Sequence, residues 1–346
     1  MSSDLARRGL RAPVNVTWEI TLKCNLACRH CLSDAGQTMA DELSTDECRR
    51  LIRQLAAMKV FQVNIGGGEP FIRDDFLDLL DDAHQNQVVT CVSTNGIRVD
   101  DALARHLARL DMLYLQVSLD GATAEVNDAI RGRGTFDRIL QAADTLARHG
   151  VHFSLNTVLT RLNYPQLEDL RRLAAGYGAE LRVSRFRPSG RGKSSKADLG
   201  PDTDQLEAFA AWLEGHELVR TGDSFFCLTS ENRRRKGLDM CGAAKMTCCI
   251  SPNGNVYPCA FLQEPEFLVG NVRHDDFKTL WDNSPVFNHL RSLRVDTCVT
   301  CSRFEQCRGG CPAMAFHTYH DLSMPDPECI AAIRPQMRKP QMKKSA

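Results

Sequence analysis

The chain has 346 residues, 43% hydrophobic and 25% charged, long enough for one large domain or two moderate ones and too apolar for extended disorder. Lys+Arg 43 balance Asp+Glu 43, which argues against a general nucleic-acid or membrane-surface binder, and no apolar run reaches the ~18 residues of a membrane span. Residues 1–12 read as a tail: Met1 to Arg11 lack the apolar stretch and cleavage site of a secretory signal, so the expected location is the cytoplasm.

Apolar alternation at Val14, Val16, Trp18 and Ile20 predicts the first strand, and buried-strand runs follow at Val60–Ile65, Val88–Ser93, Met112–Leu119, Phe153–Val158 and Glu180–Phe186. Between them lie helical patterns. The clearest opens on Ser44 and Glu47 as a capping box and places Cys48, Leu51, Ile52, Leu55 and Met58 on one face. Others cover Asp74–Gln85, Asp100–Arg109, Phe136–His149 and Pro165–Ala175. Alternating strand and helix predicts parallel βα units with right-handed crossovers. Six of them predict an α/β fold, a partial (β/α)6 TIM-type barrel over 13–215, with a loop over 187–201 and a last helix at Asp204–Glu214. Residues 216–240 read as a linker and 241–332 as a cysteine-rich module ordered more by metal than by an apolar core; 333–346 form a basic tail.

Fifteen cysteines are many for a cytosolic chain of this length, which needs no disulfide staples, so they are read as ligands or nucleophiles. Three lie between Cys24 and Cys31 and, leaving out Cys249, eight between Cys241 and Cys329, while Cys48, Cys91, Cys227 and Cys249 fit no defensible spacing. Cys24-x3-Cys28-x2-Cys31 follows the first strand, at the end where barrel enzymes place their chemistry. Three thiolates leave one iron of a cubane open, whereas four would close it. The competing assignment is zinc completed by His30, in a spacing too tight for the usual finger.

Cys24-Asn-Leu-Ala-Cys28-Arg-His-Cys31 resembles the signature of radical S-adenosylmethionine (SAM) enzymes. The resemblance implies a SAM-binding 4Fe-4S cluster, and cleavage of SAM to methionine and a 5'-deoxyadenosyl radical that abstracts hydrogen and leaves as 5'-deoxyadenosine. Gly66-Gly67-Gly68-Glu69-Pro70, after the second strand, is similar to the family motif for the SAM amino group; a carboxylate can pair with an ammonium. Ser93 and Asn95 end the third strand and Ser118 and Asp120 the fourth, as candidates for the ribose and carboxylate of SAM. Asn156 and Arg185 are weaker candidates on strands five and six.

Cys241-x12-Gly254-x4-Cys259, then Cys298-x2-Cys301-x5-Cys307-x3-Cys311-x17-Cys329, resembles the SPASM extension of such enzymes, with two auxiliary 4Fe-4S clusters over 241–332. The family pattern gives one cluster Cys241, Cys248, Cys259 and Cys311, and the other Cys298, Cys301, Cys307 and Cys329; Cys249 competes with Cys248, and two zinc sites are the alternative. Ser251–Asn255 reads as a hairpin turn bringing Cys259 back toward Cys248, and His317 and His320 as ordinary surface or core residues. Auxiliary clusters suit a substrate radical that must be oxidised.

Asn64–Pro70, Ser118–Asp128, Arg187–Gly192, Thr221–Phe226 and Cys307–Cys311 resemble the mycofactocin radical SAM maturases. That subgroup implies a short ribosomal precursor peptide ending in Val-Tyr, oxidative decarboxylation of the tyrosine, and then a carbon–carbon bond to the valine. It also implies a separate small peptide-recognition protein and an electron donor such as a flavodoxin or ferredoxin, with Arg187, Arg191, Asp223 and Phe226 as candidates to line the peptide groove. The alternatives are another SPASM-type peptide or sulfatase maturase, and a non-catalytic iron-sulfur carrier.

Overall fold

Strand β1 (Asn15–Thr21) sets the frame through its period of two: Val16, Trp18 and Ile20 are buried on the helix-covered face, and Asn15, Thr17, Glu19 and Thr21 point to the other. The structure, a computed structural model, describes residues 10–111, 113–216, 218–221 and 241–329, apart from the side chain of Gln306. The predicted linker beyond 221, the tails before 10 and after 329, and Asp223, Phe226 and Cys227 lie outside those residues.

β1 is followed in the sheet by β2 (Gln62–Gly67), β3 (Thr90–Thr94), β4 (Leu113–Ser118), β5 (Phe153–Val158), β6 (Glu180–Ser184) and the short β7 (Arg220–Thr221), each parallel to its neighbour. Helices α1 (Thr45–Ala57), α2 (Phe76–Gln85), α3 (Asp101–Leu107), α4 (Ala124–Arg131), α5 (Thr135–Arg148), α6 (Leu167–Gly176), α7 (Gly192–Leu199) and α8 (Thr203–Gly215) fill the connections. The capping box of α1 is present, with Cys48, Leu51, Ile52 and Leu55 buried. Among the described residues no pairing joins β7 to the other edge, so the barrel is partial. No described helix is long and apolar enough to cross a membrane.

The other edge is occupied by the cysteine-rich module. β8 (Thr247–Ile250) pairs parallel with β1, from Asn15↔Thr247 to Trp18↔Ile250. It then turns through a hairpin into antiparallel β9 (Asn255–Tyr257), which pairs with β10 (Gly270–Asn271). The module therefore extends the barrel sheet past its first strand. Where the sequence points to order from metal more than from a large apolar core, the structure shows a substantial apolar core as well. Phe277, Trp281, Phe287, Leu290 and Met314 are buried in one continuous cluster with Val16 and Trp18. They sit on α9 (Phe277–Asn283), α10 (Pro285–Ser292) and α12 (Pro312–Tyr319), which, with the short α11 (Phe304–Cys307), complete the module.

Helix α7 lies where a loop was expected. It has no side-chain N-cap, and tertiary contact fixes its start: a Cβ on Gly190 would lie 2.6 Å from the Cys31 carbonyl oxygen, and one on Gly192 2.5 Å from that of Arg187. Arg191 donates to the Cys28 carbonyl at 3.0 Å and the Ala35 carbonyl at 2.7 Å, and pairs with Asp34. The helix is thus bolted to the first cysteine loop, and Arg191 is committed there instead of to a peptide groove.

Candidate active site

The loop after β1 carries Cys24, Cys28 and Cys31 and closes on itself, with Cys24 N donating to Gly36 O and Gly36 N to Leu22 O. The three thiols are partly buried and close enough for charge on one to raise another. Donors surround their sulfurs: Leu26 N and Asn95 Nδ2 reach Cys24 Sγ at 3.5 and 4.0 Å, Arg131 Nη1 reaches Cys28 Sγ at 3.8 Å, and Ala35 N reaches Cys31 Sγ at 3.4 Å. Burial pushes the Cys24 and Cys28 thiols up, so a bare thiolate is disfavoured and a metal that deprotonates the ligand restores the balance. Such N–H···S contacts also tune iron-sulfur potentials, so the donor set fits a cluster.

His30 does not complete a zinc site. Its Nε2 is hydrogen-bonded to Asp120, whose wholly buried carboxylate also holds the Arg131 guanidinium at 2.7 Å. Among the described residues no three His, Cys, Asp or Glu side chains converge to hold a single metal ion. Asp120, expected to meet SAM, lies wholly buried beneath the cysteine loop, where it positions His30 and Arg131. Burial would raise its carboxyl, but Arg131 and His30 hold it down at about 2.

Gly66–Pro70 ends β2 against the same loop. A Cβ on Gly67, at φ +109°, would lie 2.4 Å from Thr21 O, and one on Gly68 2.0 Å from Lys23 O; Gly68 N and Glu69 N donate to those carbonyls. The two glycines thus serve loop-to-loop approach, a role the sequence does not distinguish from ligand approach. Glu69 is wholly buried and accepts from Thr94 Oγ1 at 2.8 Å, Asn95 N at 2.7 Å and Phe71 N at 3.2 Å; burial raises its carboxyl to about 7 against those bonds. Pro70 is buried at the start of a short 3-10 turn. Asn95 also donates to Asn25 Oδ1 at 2.7 Å, tying β3 to the cysteine loop.

Register places polar residues on the inner face. Ser118 lies beside Asn156, which accepts from Ser184 Oγ at 2.8 Å, and Ser93 lies beside Gln116. Ser93, Ser118 and Asn156 therefore share one lumen. Arg185, expected to contact the cofactor, has its buried guanidinium on Asp326 through two bonds of 2.7 and 2.6 Å and on Glu328 at 2.6 Å, an ion pair with the second module. Arg187 lies 4.4 Å over the Phe261 ring. Glu19 was missed. It is buried on the inner face, where burial raises its carboxyl, and accepts from Ser33 Oγ and from Gln263 Nε2, joining the first cysteine loop to the segment after Cys259.

In the second module Cys241, Cys259 and Cys311 lie within electrostatic reach of one another, and Cys329 and Cys298 within reach of Cys307. Cys301 N donates to Cys298 O in the same turn. Burial pushes Cys241 to about 11 and Cys307 to about 12. The structure does not bring Cys248 to the first group. Its register with Val16 turns it to the helix-covered face, near Arg291, while Cys249, in register with Thr17, faces Glu19 and Cys259. The hairpin thus returns Cys259 toward Cys249. Gly254, at φ +88°, forms its turn.

Two family models match the chain: the radical SAM superfamily over residues 18–174, and SPASM, an iron-sulfur cluster-binding domain, over residues 241–312. Mycofactocin maturase MftC of Mycobacterium tuberculosis is 47% identical over 329 residues, covering 93% of this chain and 84% of that protein. The chain belongs to the mycofactocin maturase family. Streptococcus suis SuiB, solved with S-adenosylmethionine, shares the fold at a TM-score of 0.77 and 20% identity over 94% of this chain and 79% of its own. The same protein solved with precursor peptide SuiA gives a TM-score of 0.79 and 20% identity over 94% and 77%. As a member of this family the chain is a radical SAM enzyme, with iron-sulfur clusters and SAM as its cofactors.

Proposed function

We propose that this enzyme matures a short ribosomal precursor peptide ending in Val-Tyr, by oxidative decarboxylation of the C-terminal tyrosine and then carbon–carbon bond formation with the valine. The observation that carries this reading is the kinship with a mycofactocin maturase over 93% of the chain, joined to a three-cysteine loop at the mouth of a polar lumen. Cys24, Cys28 and Cys31 would hold one cluster, Cys241, Cys249, Cys259 and Cys311 a second, and Cys298, Cys301, Cys307 and Cys329 a third. When bound, the first cluster and SAM supply the radical that abstracts hydrogen, and an auxiliary cluster the sink for an electron.

The chain's own residues supply position. Glu69, Asn95 and Asn25 lock three loops around the cysteines, and Ser93, Ser118 and Asn156 offer hydroxyl and amide groups to SAM. Glu19, a buried carboxyl in the lumen, is placed to hold a proton. A cavity of about 460 Å³ lined by Arg161, Phe186, Lys193, Lys196 and Glu328 beside α7 suits the anionic end of a peptide. A separate recognition protein and a flavodoxin- or ferredoxin-type donor in the cytoplasm would complete the system.

The test is anaerobic reconstitution with a reductant, SAM and a peptide ending in Val-Tyr. 5'-Deoxyadenosine and a peptide lighter by carbon dioxide and two hydrogens are expected; the absence of both would sink the proposal.

A further inference from the structure

Arg185 follows β6 at the mouth of the barrel, and Asp326 lies in the loop between α12 and Cys329, 141 residues away. The two side chains are 2% and 0% exposed and meet as a bidentate pair. Asp326 is bonded to both auxiliary cysteine groups at once. Its Oδ2 accepts from Cys311 N at 3.0 Å, and Cys311 belongs with Cys241 and Cys259. Its backbone carbonyl accepts from Cys329 N at 3.0 Å, and Cys307 lies within reach of its charge; both belong with Cys298. Its backbone N donates to Gly309 O at 2.9 Å, and the next glycine leaves no space for a side chain: a Cβ on Gly310, at φ +87°, would fall 2.4 Å from Asp326 Cβ.

A buried ion pair is a weak device for stability, because desolvation offsets most of the attraction. Its location gives it another use. Cluster potentials respond to net charge and hydrogen bonding around the sulfurs, and charges act strongly at low dielectric. We propose that Arg185 and Asp326, with Glu328 on the same guanidinium, are a positioning group that fixes both auxiliary clusters against the barrel strand β6 and sets their potentials through the net charge it presents to them. The inference rests on assigning the two cysteine groups to clusters. An electron entering a cluster adds negative charge. Arg185→Met leaves the Asp326 and Glu328 carboxylates without their counter-charge beside the ligands and makes reduction harder. Asp326→Asn leaves the guanidinium with Glu328 alone and makes reduction easier. The double substitution removes one charge of each sign and restores the parent's net charge.

The test uses the full chain with Cys24, Cys28 and Cys31 changed to Ala, so that the auxiliary clusters alone contribute. Auxiliary iron per chain is counted and midpoint potentials are taken by redox titration followed by electron paramagnetic resonance. The expected result is a potential lowered by R185M, raised by D326N, and returned close to that of the parent by R185M/D326N and by R185K. If the single variants shed iron, the double variant and R185K are expected to retain it. Shifts of one sign, unmoved potentials, or equal iron loss in all four variants would overturn the inference. A parent chain without auxiliary iron would overturn the cluster assignment itself, and the inference with it.

Discussion

Asp120→Asn keeps the shape of a wholly buried side chain and removes its charge. The native carboxylate holds Arg131 at 2.7 Å, binds His30 and accepts from Val158 N at 2.8 Å. The amide can keep the Val158 bond, but its NH2 then faces donors and leaves a guanidinium only 6% exposed without its counter-charge. Breaking a buried pair from one side costs about 3–5 kcal/mol. With a urea slope of roughly 3 kcal/mol/M, the midpoint of unfolding falls by about 1–1.7 M. The pH dependence has a definite sign. The folded carboxyl, at about 2, lies below the unfolded value, so its contribution is complete above that value and is lost as pH falls through the folded one. D120N therefore flattens the wild-type loss of stability between about pH 4 and pH 2. Anaerobic urea denaturation at several pH values reads both effects. A fall of less than about 1 kcal/mol, the worth of an exposed pair, would refute the account of what holds the cysteine loop.

Gly68→Ala places a methyl 2.0 Å from Lys23 O, so the motif loop must leave the cysteine loop; SAM affinity measured by calorimetry is expected to fall at least about tenfold, or ~1.4 kcal/mol, and an unchanged value would count against the placement. Cys249→Ser is expected to lower auxiliary iron per chain and Cys248→Ser to leave it at the wild-type level; the reverse pattern would restore Cys248 to the ligand set. Glu69, raised by burial to about 7, is protonated below that value, and its ionised form accepts better from the N–H groups of the SAM amino group. The rise of SAM affinity with pH through about 7 should therefore be steeper in the wild type than in E69Q; identical profiles would contradict a contact between Glu69 and the amino group.

Much of the barrel was legible because its strands announce themselves locally. Phe153–Val158 was read with its observed bounds, and Ser44 with Glu47 marked the start of α1. The strand-end polar residues show where local reading stops. Ser118 and Asp120 are two residues apart, yet Ser118 shares the inner face with Asn156 while Asp120 bonds to His30, 90 residues away. Arg185 likewise found Asp326, a partner that no spacing rule connects. Helix α4 is short, and its apolar residues Val126 and Ile130 pack on Phe186 and Leu199, a contact supplied only by the fold and not marked in the local pattern. In the second module the signals existed. Asp276 caps α9, and Ser284 with Pro285 opens α10, but the density of cysteines drew the reading toward metal and away from Phe277, Trp281 and Phe287. The choice between Cys248 and Cys249 required the pairing of β8 with β1, a non-local fact.

The most direct measurement is electron-nuclear double resonance on the reduced, oxygen-protected holoenzyme with SAM isotope-labelled at its amino nitrogen. Coupling of that nitrogen to a reduced cluster, lost when Cys28 is changed to Ala and retained when Cys307 is, is the result predicted for a three-cysteine cluster that receives SAM. A fully loaded enzyme that shows no such coupling would contradict it.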